Sequence, residues 1–179
     1  MNKEFIEKVL KELSIRRPLF HVEMDFQVEF YNELKKYFKA DILRLEWYDG
    51  EKNEKGRREY TDLLLKINND IYLFEFKYKT KEQNIIINNE IYNLEDQDAV
   101  DVGCYLYLKD ICRLKNKVNK YANTFPNCKI IKAYAIMLTN DEEYTKSHTG
   151  IMQNYYLPNN TYIEPGIKRF IIQIGRAHV

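Results

Sequence analysis

Apolar residues recur along this chain with two different periods, and the period predicts the element. Phe5, Ile6, Val9, Leu10 and Leu13 fall at helical spacing, which predicts a short amphipathic helix over about residues 3–14, ended by Arg16-Arg17-Pro18. Phe26, Phe30, Leu34 and Tyr37 or Phe38 form the stripe of a second helix from about Glu23 to Lys39. The period then drops to two. Ile42 to Tyr48 alternates as a strand, and the polar stretch from Asp49 to Arg58 predicts a loop. Tyr60–Ile67 and Ile71–Lys79 are rich in Leu, Ile, Phe and Tyr and flank Asn68-Asn69-Asp70, residues that tolerate the positive φ of tight turns, so they predict a hairpin. Asn84–Ile87 and Glu90–Leu94 flank Asn88-Asn89 as a smaller hairpin. Leu108, Ile111, Leu114 or Lys115, Val118 and Tyr121 restore helical spacing over about Asp96–Ala122. Ile130–Thr139 is a nearly continuous apolar run, the mark of a strand covered on both faces. Asn140–Pro165 shows no clear period, and Phe170–Gln173 resembles a strand in progress.

Helix, three strands, helix, strand is an α/β order, and its natural packing is a central mixed sheet flanked by helices. Residues 1–173 are expected to form a single domain. Ile174-Gly175-Arg176-Ala177-His178-Val179 matches the translation of a common sequencing adapter, so residues 174–179 are expected to be a non-native tail, and His178 carries no functional weight.

Composition narrows the partners. The 179 residues are 45% hydrophobic and 31% charged, with a net charge of +1, so any nucleic-acid footprint must be local rather than global. No apolar run of about 18 residues suggests a membrane span, and Met1–Leu13 lacks a signal-peptide core, which points to the cytoplasm. Cys104, Cys112 and Cys128 have neither zinc nor disulfide spacing and are expected to act as small buried hydrophobes.

The candidate chemistry sits in the central hairpin. On its second strand Leu73, Glu75, Lys77 and Lys79 share one face, and Phe74, Phe76 and Tyr78 share the other. An acid and a lysine in an apolar strand are costly to bury unless they pair or bind a metal. Asp62 is the lone charge between Tyr60 and Leu65 on the neighbouring strand. A plain Glu75–Lys77 or Asp62–Lys77 ion pair is one reading. The other is a hydrolase site. Asp62 and Glu75 on adjacent strands can grip a hard cation such as Mg²⁺, which takes carboxylate oxygens. Lys77 can orient or deprotonate a water, or neutralise developing charge. Glu23, with Gln27 one turn on, can enter from the second helix. Gln97, Asp101 and Tyr105 recur every four residues near the start of the long helix and are expected to face Glu75.

Asp62, followed after a 12-residue spacer by Glu75-Phe76-Lys77, resembles the core motif of the PD-(D/E)XK nuclease superfamily, and the element order is similar to its restriction-endonuclease-like αβββαβ core. Phe20-His21-Val22-Glu23-Met24-Asp25-Phe26-Gln27, Tyr60-Thr61-Asp62, Glu75 to Thr80, Gln97 to Leu108 and Leu138 to Asp141 look like an uncharacterised bacterial or prophage-type group within it. The chain departs at Tyr60-Thr61, where the family's Pro would precede Asp62. The resemblance covers about residues 18–142. It implies Mg²⁺-dependent hydrolysis of nucleic-acid phosphodiesters, with DNA the expected substrate and Mn²⁺ an alternative ion. Asp62, Glu75 and Lys77 take the core roles, with Glu23 as the helix acid and a third metal or water ligand. Repair and defence against foreign DNA are the expected settings. Arg57, Arg58, Lys79, Lys109 and Arg113 become candidate phosphate contacts, beside Lys55, Lys115, Lys117 and Lys120. A module of the same fold that binds nucleic acid or protein without catalysis stands as the alternative. The resemblance leaves the oligomeric state open, a dimer included.

Overall fold

The computed structural model describes residues 1–97, 99–128, 130–146, 162–164 and 167–173. Among the described residues three helices, α1 (Lys3–Arg16), α2 (Glu23–Tyr37) and α3 (Val100–Thr124), accompany eight strands. The strands are β1 (Ile42–Lys52), β2 (Arg58–Ile67), β3 (Asp70–Lys79), β4 (Gln83–Ile87), β5 (Glu90–Leu94), β6 (Ile130–Thr139), β7 (Tyr162–Glu164) and β8 (Ile167–Gln173), with a short 3₁₀ turn at Glu142–Thr145. The expected non-native tail, residues 174–179, lies outside the described residues.

The chain is α/β with a mixed sheet in the order β1-β2-β3-β6-β8-β7. β2 runs antiparallel to both β1 and β3, whereas β3, β6 and β8 are parallel. β4 and β5 form a separate ribbon. The tight turns fall where asparagine tolerates positive φ, at Asn68 (52°) between β2 and β3 and at Asn88 and Asn89 (52° and 66°) between β4 and β5.

Two hydrophobic cores sandwich the sheet. On one face α1 and α2 bring Ile6, Leu13, Phe26 and Phe30 against Phe74, Phe76 and Tyr78 of β3. Phe26 and Phe30 meet Phe76 edge-on at 5.0 and 5.2 Å between ring centroids. On the other face α3 lays Tyr107, Ile111 and Leu114 against Leu73 and the small Ala133 and Ala135 of β6. The alternation predicted for β3 therefore holds, and Glu75 and Lys77 share the α3 face.

Two boundaries differ from the sequence expectation. Half of the polar stretch from Asp49 to Arg58 is strand: β1 runs on to Lys52, β2 begins at Arg58, and the turn is confined to Asn53–Arg57. The Asn53 carboxamide oxygen accepts from the Lys55 and Arg57 amides, both at 3.0 Å, and Gly56 takes a φ of 72°. Helix α3 begins at Val100 rather than Asp96. The preceding residues are pinned to the end of β3: the Gln97 amide donates to the Thr80 carbonyl (3.1 Å), the Thr80 hydroxyl to the Glu95 carbonyl (2.7 Å) and the Glu82 amide to Asp96 (2.7 Å).

Candidate active site

The sheet forks at its centre. The β2–β3 ladder ends at Leu63–Phe74, whereas β1–β2 pairing continues to Lys52–Arg58 and β3–β6 pairing to Lys79–Thr139. Past the fork, β3 amides have lost their strand partner, and a buried amide needs an acceptor. Two carboxylates fill the gap. Asp62 Oδ2 accepts from the Phe76 amide at 2.7 Å, and Glu23 Oε2, from the first turn of α2, accepts from the Tyr78 amide at 2.9 Å. Opposite the fork, β1 carries Glu46 with a φ of 48°, a left-handed conformation rare for a non-glycine residue. Backbone strain of this kind concentrates at functional sites.

Helix α3 closes the site from above. Asp110, Arg113 and Lys117 are spaced three and four apart and point at the β2–β3 side. Arg113 Nη2 donates to Glu75 Oε2 and lies 3.2 Å from Asp110 Oδ1. Lys77 Nζ is 3.0 Å from Asp110 Oδ2 and 3.6 Å from Glu23 Oε1. The Lys117 ammonium donates to Thr61 Oγ1 at 2.7 Å. One reading of the sequence paired Lys77 with Glu75 or Asp62; the close partner of Glu75 is instead Arg113, and those of Lys77 are Asp110 and Glu23. Asp110 escaped the sequence reading altogether. A signal existed: Asp110, Arg113 and Lys117 interleave with the buried Tyr107, Ile111, Leu114 and Tyr121, so polar side chains occupy a covered arc of the helix.

The electrostatics follow from this enclosure. Burial and the neighbouring Asp62 push the Glu75 carboxyl well above the usual range, and Arg113 only partly offsets them. Burial also raises Asp62 and Glu23, against the lowering pull of the Phe76 amide on Asp62 and of Lys77 on both. Burial pulls the Lys77 ammonium down, but Asp110 and Glu23 outweigh it, and its pKa ends above the ordinary lysine value. Burial leaves Lys117 below the ordinary value.

The donor set suits a hard divalent cation in kind, because it consists of carboxylate oxygens. Glu75 is 1% exposed, and its Oε1 has no hydrogen-bond partner; neither does the buried amide oxygen of Gln27 on α2. Each is an acceptor facing no donor. Glu23 and Glu75 both lie near enough to Asp62 to feel its charge, but among the described residues no group of three His, Cys, Asp or Glu side chains is arranged to hold an ion. Arg113 occupies one oxygen of Glu75 instead.

Beside the site lies a cleft of about 650 Å³ between the β1–β2 arm and α3. Lys52, Lys55, Arg57, Lys109, Arg113, Lys117 and Lys120 line it against Glu51, Glu54 and Glu59, so cations predominate. Arg57, Lys109 and Arg113 thus share one cleft. Arg58 instead stacks on Tyr48, its guanidinium carbon 5.1 Å from the ring centroid. Lys79 is a correction: at 8% exposure it is buried at the end of β3 rather than on the surface. Gln97, Asp101 and Tyr105 form no row facing Glu75, since Gln97 precedes α3, Asp101 accepts from the Val102 amide and Tyr105 is 50% exposed. Of the cysteines expected to be buried, Cys104 is buried, Cys128 is half-buried and Cys112 is exposed on the cleft wall. No described helix is long and apolar enough to cross a membrane. Comparison with protein-family models, with curated proteins and with solved structures gives no match for this chain.

Proposed function

We propose that this chain is a metal-dependent nuclease hydrolysing DNA phosphodiester bonds, with a restriction-endonuclease-like core formed by α2, β1, β2, β3, α3 and β6. One observation carries the reading: a buried carboxylate oxygen of Glu75 without a donor, beside Asp62, at a fork in the sheet that adjoins a cationic cleft. An unpaired buried acceptor costs about 1–3 kcal/mol, a cost that a cation bound at Glu75 would offset. Asp62, Glu75 and Glu23 are the residues that would hold Mg²⁺ or Mn²⁺. Such an ion, when bound, polarises a phosphoryl oxygen and lowers the pKa of a bound water.

The protein's own groups take definite parts. Lys77, held by Asp110 and Glu23, can offset charge building on the phosphate or orient the attacking water. The Phe76 and Tyr78 amides hold Asp62 and Glu23 by one oxygen each, which limits their freedom before substrate arrives. The cationic cleft binds the phosphate backbone irrespective of sequence.

A second reading has its own observation. Arg113 on Glu75 and Lys77 on Asp110 neutralise much of the cluster, as a binding module without catalysis would require. Incubation of plasmid and linear DNA, and of RNA, with Mg²⁺ or Mn²⁺ separates the two. Cleavage by the wild type, lost in Lys77→Met while DNA affinity changes little, is expected. Binding without cleavage under either ion would leave the module reading. Equal loss of binding and cleavage in Lys77→Met would make Lys77 a phosphate anchor.

A further inference from the structure

Arg113 belongs to two places at once. Its guanidinium lines the cationic cleft and also donates through Nη2 to Glu75 Oε2. Among the described residues it is Arg113, not the other cations at that end of the cleft, that is paired with Glu75. Lys117 is 3% exposed and donates to Thr61, and Lys120 is held 2.5 Å from Glu51 Oε1. Arg113 is 28% exposed along its side chain, and its Nε has no hydrogen-bond partner. It has reason to move: a phosphate, like a carboxylate, offers two oxygens to the planar guanidinium fork. It also has reason to stay when the cleft is empty, because Glu75 would otherwise be left buried beside Asp62 without a counter-charge.

We propose that Arg113 is a gate shared by the cleft and the acidic site. With the cleft empty it neutralises Glu75 and opposes entry of a divalent cation, since two positive charges compete for one carboxylate. With a nucleic-acid phosphate in the cleft it transfers to that phosphate and leaves Glu75 to the cation. Nucleic acid and metal then bind cooperatively, and each raises the affinity of the other by the same factor. A nuclease so built withholds its metal until substrate is seated. This inference rests on the metal-dependent reading of Glu75 and Asp62.

The test is a calorimetric titration of Mn²⁺ into wild type and Arg113→Gln, each alone and each with a DNA duplex whose phosphorothioate backbone resists hydrolysis. Blank titrations of the duplex are subtracted, and circular dichroism checks folding. Duplex should raise the Mn²⁺ affinity of wild type by about 5- to 150-fold, the ordinary span of coupling between two sites. Arg113→Gln should bind Mn²⁺ without duplex as tightly as wild type does with it, and gain little more when duplex is added. Mn²⁺ binding by wild type that is indifferent to duplex overturns the gate and leaves the metal site standing, as does a folded Arg113→Gln with no gain in affinity. No Mn²⁺ binding in any of the four titrations overturns the metal-dependent reading itself, and the gate with it. Should Arg113→Gln fail to fold, the duplex dependence of wild type alone decides.

Discussion

Asp62 shows how one side chain serves structure and chemistry together. Its Oδ2 completes the hydrogen bonding of Phe76, a role that a neutral amide oxygen also fills. Its charge serves no such purpose, since burial holds the carboxyl above the usual range despite the Phe76 amide and Lys77. The sign of the pH effect follows. A carboxyl whose pKa is raised by folding favours the folded state most when protonated, below the ordinary 3.8, and that contribution is lost as pH rises through the raised value. Asp62→Asn removes the titration and keeps the acceptor. It should be inactive yet at least as stable as wild type at pH 7 without metal, with its advantage growing as pH rises from about 4 to 7. Urea titrations across that range measure this. A clearly destabilised Asp62→Asn would show that the charge itself holds the fork together.

Helix α3 carries both a core and a site, and its ends show what sets each. Gly103 is needed because a Cβ there would collide with the hydroxyl of Tyr144, which caps the α3-side core from the 3₁₀ turn. Gly103→Ala should cost about 1–3 kcal/mol through overpacking. A thermal melt reads this directly; an unchanged melting temperature would mean that Tyr144 swings away freely. One to three turns further along, Tyr107, Ile111 and Leu114 anchor the helix, and the same rotation brings Asp110, Arg113 and Lys117 over Glu75 and Thr61. The helix is tied at its far end too, where Trp47 Nε1 donates to Tyr121 Oη at 2.8 Å and Lys120 meets Glu51 of β1. These ties set the width of the cleft, because the β1–β2 arm and α3 are its two walls.

For the molecule as a whole, a net charge of +1 conceals an uneven distribution. Acids collect at the fork and cations in the cleft beside it. Binding of DNA should therefore weaken steeply with salt, with a slope of log K on log[salt] near −0.9 for each phosphate neutralised. Lys55 and Arg57 are exposed at the tip of the arm, on the cleft wall. The double change Lys55→Ala, Arg57→Ala should reduce the magnitude of the slope by up to about 2 while leaving the melting temperature nearly unchanged. Fluorescence anisotropy at several salt concentrations tests this, and an unaltered slope would place the DNA elsewhere.

Local pattern was enough to order most of the elements. The period of the apolar residues located the helices, the β2–β3 hairpin and the faces of β3, because burial of a helical stripe or of alternate strand residues needs no knowledge of the partner. It also singled out Asp62, Glu75 and Lys77 as charges in apolar company. It misjudged the start of α3 and the length of β1, because those ends are set by Thr80 and Asn53, whose hydrogen bonds reach across or along loops rather than following a period. It could not tell which charge meets which. Glu75 and Arg113 are 38 residues apart, and Glu23 and Tyr78 are 55 apart. Such pairs form only once the sheet has forked and α3 has docked across it. The tertiary structure alone decided that Asp110 joins the site, that Lys79 is buried, and that a cleft cation reaches the acid. Period reports whether a side chain is covered; only packing decides what covers it.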